Sequence, residues 1–471
     1  MAAGAGAGAG GVTEKPGEGA VGARGSTTKP RETFASRFGT LVTVIGVAIG
    51  LGNVWRYPYL VGKFGGAAFV LFYVFVAVAI GVPALMAEFA LGRFARRGPV
   101  GAFKAAGLPG GTAVGWFFFV IVIAATGYYT AVVGWVLYHA VAQIGAGVGL
   151  HIEASAILPP EHGFDFVSFA LQMCFTAIVA LACAVVVAKG LRAGIERASA
   201  WVMPVLLVAL VLLMIRSLTL PGAMAGVRWY ILKFRWADLT PTVMVAAIGH
   251  AIFSLSLGGT FMVVYGSYMK HDESVARPAL WTVIGDTGSS LLAGFAVIPA
   301  VFAFNLEPTS GPGLIFATLP KVFAAMPAGA LFGAVFFIGL SCAGYLSDVG
   351  AFEVLVAGLT DNTKMSRERA VSLVTAAIFV AAIPPAINTR IFVPWDLTFG
   401  SGMQTLGSLV AVLSVGWFMK RGDALKQLGE RGEVPVPVWL YYWVRFGIPA
   451  AIGGVGVWWL LSSVFSTVRA V

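Results

Sequence analysis

Two stretches of this chain put flexible and oxygen-bearing residues where an apolar run would otherwise be continuous. In GVAIGLGNVWRYP (46–58) three glycines, Asn53 and the charged Arg56 interrupt hydrophobic sequence, and in HAIFSLSLGG (250–259) Ser254, Ser256, Gly258 and Gly259 do the same. Both patterns predict helices that unwind part-way along. Freed carbonyls beside Asn and Ser side chains are hard oxygen donors suited to a small cation. Freed N–H groups at the start of the next half-helix suit an anion such as a carboxylate. The chemistry implied is ion and substrate binding. Close helix packing through glycine is the alternative for either stretch alone, and paired breaks flanked by Asn and Ser favour binding.

The elements that carry these breaks are membrane spans. Of 471 residues 58% are apolar and 11% charged, and mean hydropathy is +0.87; a water-soluble domain keeps about 25% charged residues. A bilayer core needs about 20 apolar residues per helix. Eleven segments qualify, at 39–63, 66–92, 113–145, 166–188, 198–216, 241–269, 278–304, 331–360, 370–387, 396–419 and 438–465. Residues 1–30, alternating Ala and Gly before turning polar, predict a disordered cytoplasmic tail rather than a signal peptide. The interrupted helices are the first and sixth of the first ten, which points to an inverted repeat with a midplane site: 31–216 as the first five-helix repeat, 217–420 as the second, and 421–471 for the eleventh helix and the end.

Charge sets the orientation. The connections after the second, fourth, sixth, eighth and tenth spans all carry Lys and Arg, from Arg93, Arg96 and Arg97 to Lys420 and Arg421. The N-terminus is therefore expected in the cytoplasm and the C-terminus outside. The net charge of +10 lies in these short loops, with no basic domain for nucleic acid. Cys174, Cys183 and Cys342 all sit in apolar runs and read as core residues.

The motif GVAIGLGNVWRYPYLVGKFGGAAF (46–69), followed by GVPALMAEFALGR (81–93), resembles the sodium:neurotransmitter symporter family, particularly its bacterial amino-acid transporters such as the leucine transporter. GYYTAVVGWVLYH (127–139), GIERASAWVMP (194–204), FSLSLGG with YGSY (253–268) and AFEVLVAGLTD (351–361) extend the resemblance over roughly 31–465. It implies an all-α polytopic membrane protein with eleven transmembrane helices, in which helices 1–5 and 6–10 form the inverted repeat and helices 1 and 6 are unwound.

Residue by residue, the resemblance implies a first sodium site from the Ala48 carbonyl, Asn53, Ser254 and Asp286, the last a departure from the more frequent Asn. A second sodium is implied at the carbonyls of Gly46, Ile49 and Ala343 with the Ser347 hydroxyl. There the position that usually offers a Thr or Asp oxygen is Leu346, and an acid, Asp348, follows two residues later; either Asp348 or a small register shift repairs that site, or the ion is weak or absent. One or two sodium ions are thus expected. The substrate carboxylate is implied against Ala48, Gly50 and Gly52 with the Tyr129 hydroxyl, and its side chain among Ala125, Phe253, Ser254, Ser256, Gly259, Asp348, Gly350 and Ala351. Glycine at 50, where monoamine carriers have Asp, favours a substrate that brings its own carboxylate.

By the same carry-over Arg56 and Asp396 form an outer gate with Phe253 and Tyr129 as lid, Arg31 and Asp361 an inner gate, and Glu88 a tether to the unwound sixth helix. Tyr73, His250, Ser254 and Ser290 stand at the family's chloride position, where Asp286 supplies a negative charge instead; chloride stays open, with a lean toward independence. The function expected is sodium-coupled import of a neutral, hydrophobic or aromatic amino acid by alternating access, as a monomer or weak homodimer in the lipid bilayer. A cationic or polar amino acid or amino-sulfonate held by Asp348 is the alternative substrate. A non-transporting receptor and a membrane enzyme are the rival classes, the latter disfavoured because no titratable groups cluster catalytically.

Overall fold

Capping side chains and glycines decide where the helices of this chain start and stop. The computed structural model describes residues 32–306, 314–429, 436–459 and 461; the tail expected at 1–30, and 460 and 462–465 of the last expected span, lie outside them. The described residues contain helices and connections, and no strand. Helix α1 (Arg37–Ala48) starts at Ser36, whose hydroxyl accepts the Gly39 N–H at 2.9 Å, and ends at Ile49 in extended conformation. Helix α2 (Gly52–Phe64) continues it after a bend of 50°. Left-handed Gly65 and Gly66 (φ +96° and +62°) then turn the chain into α3 (Ala67–Ala95).

Three long helices follow: α4 (Gly111–Gly147), α5 (Phe166–Ala188) and α6 (Leu191–Leu218). Helix α7 (Pro241–Ser254) is capped by the Thr240 hydroxyl and stops before Ser256 and Gly259, both left-handed (φ +51° and +67°). After this second break comes α8 (Phe261–Tyr268). Helices α9 (Ala276–Ala303), α10 (Gly329–Asn362), α11 (Arg367–Ile387) and α12 (Thr389–Phe418) complete the second half, and α13 spans 438–459. With α1 and α2 counted as one, nine of these are long and apolar enough to cross a membrane; α7 with α8, and α13, stand at the remaining two expected spans.

Two starts differ from expectation. Helix α6 begins at Leu191 rather than 198, and α12 at Thr389 rather than 396. Arg192, Glu196 and Arg197 are good helix formers although not apolar, and the Asn388 side chain caps α12 by accepting the Ile391 N–H at 3.1 Å. Hydropathy marks the apolar stretch, whereas caps mark the helix.

Helix α4 packs along α10, α8 lies against α3, and α1 contacts α9 on one flank and α10 on the other. The approach of α8 to α3 is backbone-close: a Cβ on Gly266 would sit 2.5 Å from the Phe89 carbonyl oxygen. Both helix breaks are thus enclosed by protein, as unpaired backbone at membrane depth requires.

Candidate functional site

The breaks of α1–α2 and α7–α8 meet through side-chain oxygens. The Asn53 Oδ1 accepts the Gly50 N–H at 2.9 Å, closing the first break on itself. Its Nδ2 lies 2.6 Å from Asp286 Oδ1 and 3.0 Å from each of the Asp286 carbonyl, Ser254 Oγ and Ser290 Oγ. Ser254 Oγ is itself 2.9 and 2.8 Å from the two carboxylate oxygens of Asp286, and the Tyr73 hydroxyl is 3.3 Å from Asp286 Oδ2 and from Ser290. An amide –NH2 has two protons, so four acceptors compete for two donors. A fully buried cluster with surplus oxygen acceptors and one carboxylate has the composition of a hard-cation site.

Of the four residues at the expected chloride position, Tyr73 and Ser254 thus reach the Asp286 carboxylate directly, and Ser290 joins the cluster through Tyr73 and Asn53. His250 stands apart. Its ring packs against Tyr57, Phe69 and Tyr73, and neither ring nitrogen has a hydrogen-bond partner.

A cavity opens beside the cluster, lined on the α1–α2 break by Ala48, Gly50, Gly52 and Asn53. Other walls come from Ala125, Thr126, Tyr128 and Tyr129 of α4, Phe253, Ser254, Ser256 and Phe261 around the second break, Ser347, Asp348 and Ala351 of α10, and Gln404 of α12. The Tyr129 hydroxyl accepts the Leu51 N–H at 3.0 Å, so a polar group of α4 reaches the unwound backbone. A Cβ on Gly50 would meet Ser347 Oγ at 2.5 Å and the Tyr129 hydroxyl at 2.7 Å, and one on Gly52 the Phe253 ring at 2.9 Å. No side chain fits at 50 without displacing both hydroxyls.

Most of the expected substrate residues share this wall, but Gly259 and Gly350 do not. Gly259 backs onto the Gly407 carbonyl, and Gly350 is covered by Val47, whose Cγ1 lies 2.7 Å from where a Cβ would be. Asp348 is fully buried in the wall; its Oδ1 is 3.2 Å from Thr130 Oγ1 and its Oδ2 has no hydrogen-bond partner. The expected tether is made: Glu88 Oε1 accepts the N–H groups of Gly258 and Gly259 at 3.1 and 3.0 Å, satisfying backbone that the second break leaves free.

The outer gate lacks the direct pair expected of it. Arg56 donates to Ser401 Oγ at 3.0 Å and lies 4.4 Å over the Phe253 ring, while Asp396 sits beside the Tyr128 hydroxyl; no direct ion pair joins the two among the described residues. Asp396 and Ser401 share α12, so the guanidinium still spans the cavity mouth from α2 to α12. On the other side Asp361 accepts the Gly98 N–H at 2.9 Å, and its expected partner Arg31 lies outside the described residues.

Comparison with known proteins assigns this architecture. The model of the sodium:neurotransmitter symporter family matches residues 31–147 and 162–464. The chain belongs to this family. It is 32% identical to the sodium-dependent transporter YhdH of Bacillus subtilis, over 91% of this chain and 97% of that one. A sodium-dependent transporter of Haemophilus influenzae is 30% identical over 91% of this chain and 98% of its own. The crystal structure of MhsT in complex with L-phenylalanine matches with TM-score 0.79 and 33% identity, covering 91% of this chain and 99% of that one. The chain is a membrane-spanning member of a family of sodium-dependent transporters.

Within this symporter, sequence reasoning missed four lining residues: Thr126, Tyr128, Phe261 and Gln404. Thr126 is three residues before Tyr129 on one helical face, a signal that was available. Gln404 is an amide in an apolar span, which is a second. Phe261 gives no such signal, because only the geometry of the second break turns it inward while Gly259 turns away.

Proposed function

We propose that this symporter imports a neutral amino acid with a hydrophobic or aromatic side chain, driven by sodium bound at Asn53, Ser254 and Asp286 with the Ala48 carbonyl. The observation that carries the reading is the acceptor-rich cluster joined through Asn53 to the Gly50 N–H beside the cavity. A substrate carboxylate placed there lies against the unwound backbone of the break and meets the Tyr129 hydroxyl, whose own proton is left to donate after it accepts the Leu51 N–H, and its charge lies beside the sodium. Glycine at 50, with no room for an acidic side chain, supports a carboxylate-bearing substrate over a simple amine. Ala125, Phe253, Phe261 and Ala351 make the remaining wall largely apolar, and the MhsT structure holds phenylalanine. The carboxylate of Asp286 among Tyr73, Ser254 and Ser290 supports independence from chloride.

Alternating access then moves a bundle of α1, α2, α3, α7, α8 and α9, in which Glu88 ties α3 to the second break, against a scaffold that includes α4, α5, α10 and α11, with α4 packed along α10. The repeats are 31–216 and 217–420, and the protein sits in a bacterial inner membrane with its N-terminus in the cytoplasm and its C-terminus outside. Its basic connections support that orientation.

The test is thermal stability of the detergent-purified chain against the amino acids, in sodium and in potassium. Ligand at one hundred times Kd stabilises by about 2.7 kcal/mol. Phenylalanine, leucine or a related side chain raising Tm in sodium alone is the expected outcome; no sodium-dependent shift by any amino acid overturns the reading. One observation favours a second substrate class: Asp348 Oδ2 lacks a partner in the cavity wall. A shift by lysine, arginine or an amino-sulfonate, lost in Asp348→Ala, would replace the neutral class with that one.

A further inference from the structure

The other flank of the same helix break is mostly hydrocarbon, with no carboxylate. Helix α1 and the break after it meet α10 at Gly46, Val47 and Gly50, opposite Leu346 and Ser347. The atoms nearest a Cβ on Gly46 are Leu346 Cδ1 at 3.3 Å, Met203 Cγ at 3.4 Å and Ser199 Oγ at 3.5 Å. Leu346 is 1% exposed. The Ser347 hydroxyl donates to the Val47 carbonyl at 3.0 Å and faces Gly50, on the substrate side.

Neither repair expected from the sequence is made. Helix α10 runs unbroken from Gly329 to Asn362, so no register shift brings another side chain into the seam. Asp348 turns its carboxylate to Thr130 of α4. A sodium ion in this seam would exchange hydration oxygens for the methyl groups of Leu346 and the side chain of Met203. Such an exchange is strongly unfavourable for a cation that needs several hard oxygens.

We propose that this chain couples transport to a single sodium ion, at Asn53, Ser254 and Asp286, and that Leu346 closes the α1–α10 seam to a second. The inference rests on the symporter reading and deepens it. With a potential of 100 mV and a tenfold sodium gradient, one ion supports accumulation of about 10²- to 10³-fold, and two would support about 10⁵-fold.

Equilibrium binding of radioactive sodium to the purified full chain tests it, with sodium alone as probe. The expected result is one ion per chain with a Hill coefficient near one, falling to none in Asp286→Ala. Leu346→Thr opens the seam and adds an oxygen, and should take the count to two with a Hill coefficient approaching two. Two ions bound by the unmodified chain, or one ion remaining in Asp286→Ala, overturns the single-ion inference and leaves the symporter standing. No saturable sodium binding in the unmodified chain overturns both. The Asp286→Ala arm is independent of whether Leu346→Thr folds.

Discussion

Helix α1 faces α9 on one side of its break and α10 on the other, and the two seams offer a cation opposite environments. Toward α9 and the end of α7, Asn53 finds a carboxylate, a carbonyl and a hydroxyl of α9 and the Ser254 hydroxyl of α7 within 3.0 Å. Toward α10 and α6, a Cβ on Gly46 would find a leucine methyl of α10, and a methionine carbon and one hydroxyl of α6, within 3.5 Å. Both seams have the same unwound helix on one side, with carbonyls left free at the end of α1. The partner helix decides whether those carbonyls form an ion site, through the side chains it brings.

The largest effect expected from breaking the comparison is at Asp286. Removing a buried, hydrogen-bonded charge partner removes about 2–5 kcal/mol. Asp286→Ala should therefore weaken sodium binding by roughly 10²- to 10³-fold, read from the sodium concentration that half-stabilises the protein against heat. Asp286→Asn sharpens the point, because it keeps volume and hydrogen bonds but removes the charge that Tyr73, Ser254 and Ser290 surround. Those hydroxyls then face one another without an anion, and chloride in place of gluconate should strengthen sodium binding in this variant by about tenfold, as charge-assisted hydrogen bonds of roughly 1.5–3 kcal/mol allow. The unmodified chain should show no such dependence.

The next effect is at Gly50, which both seams approach. A methyl there would lie 2.5 Å from Ser347 Oγ and 2.7 Å from the Tyr129 hydroxyl. Overpacking of this kind costs about 1–3 kcal/mol, so Gly50→Ala should weaken amino-acid binding by about 5- to 150-fold. Sodium binding measured without substrate should change far less, since Asn53, Ser254 and Asp286 are untouched. Equal losses in both measurements would show that the break itself had collapsed.

The two seams were unequally legible in the sequence. The α9 side could be read because Asn53, Ser254 and Asp286 are polar residues in apolar spans, where each needs a reason to be buried. The α10 side carried contradictory signals. Leu346 is indistinguishable from any core leucine, and Asp348 invited a repair that its side chain, turned to Thr130, does not make. Hydrophobic periodicity located the spans, while the ends of α6 and α12 were set by charged helix formers and a cap that hydropathy does not weigh. The direction of a side chain within a break was not legible at all. Gly259 and Phe261 are two residues apart, and left-handed φ angles at 256 and 259 decide which of them reaches the cavity.

The smallest effect belongs to the cavity mouth, which must open in every cycle. Arg56 is held there by one hydrogen bond to Ser401 and by the face of Phe253, 4.4 Å away. A cation over an aromatic ring contributes about 0.5–1 kcal/mol at exposed sites, and surface charge contacts about 0–1. Ser401→Ala should accordingly speed dissociation of a bound amino acid by less than about fivefold, with sodium affinity unchanged. Arg56→Lys should do somewhat more, since an ammonium point charge cannot both lie flat on Phe253 and donate sideways to Ser401 as a guanidinium does. If Ser401→Ala instead slowed exchange or altered sodium binding, the mouth would be coupled to the α9 seam rather than acting as a weak latch above it. Asp396, which lies beside Tyr128 of α4 and shares α12 with Ser401, would then be the residue through which that coupling ran.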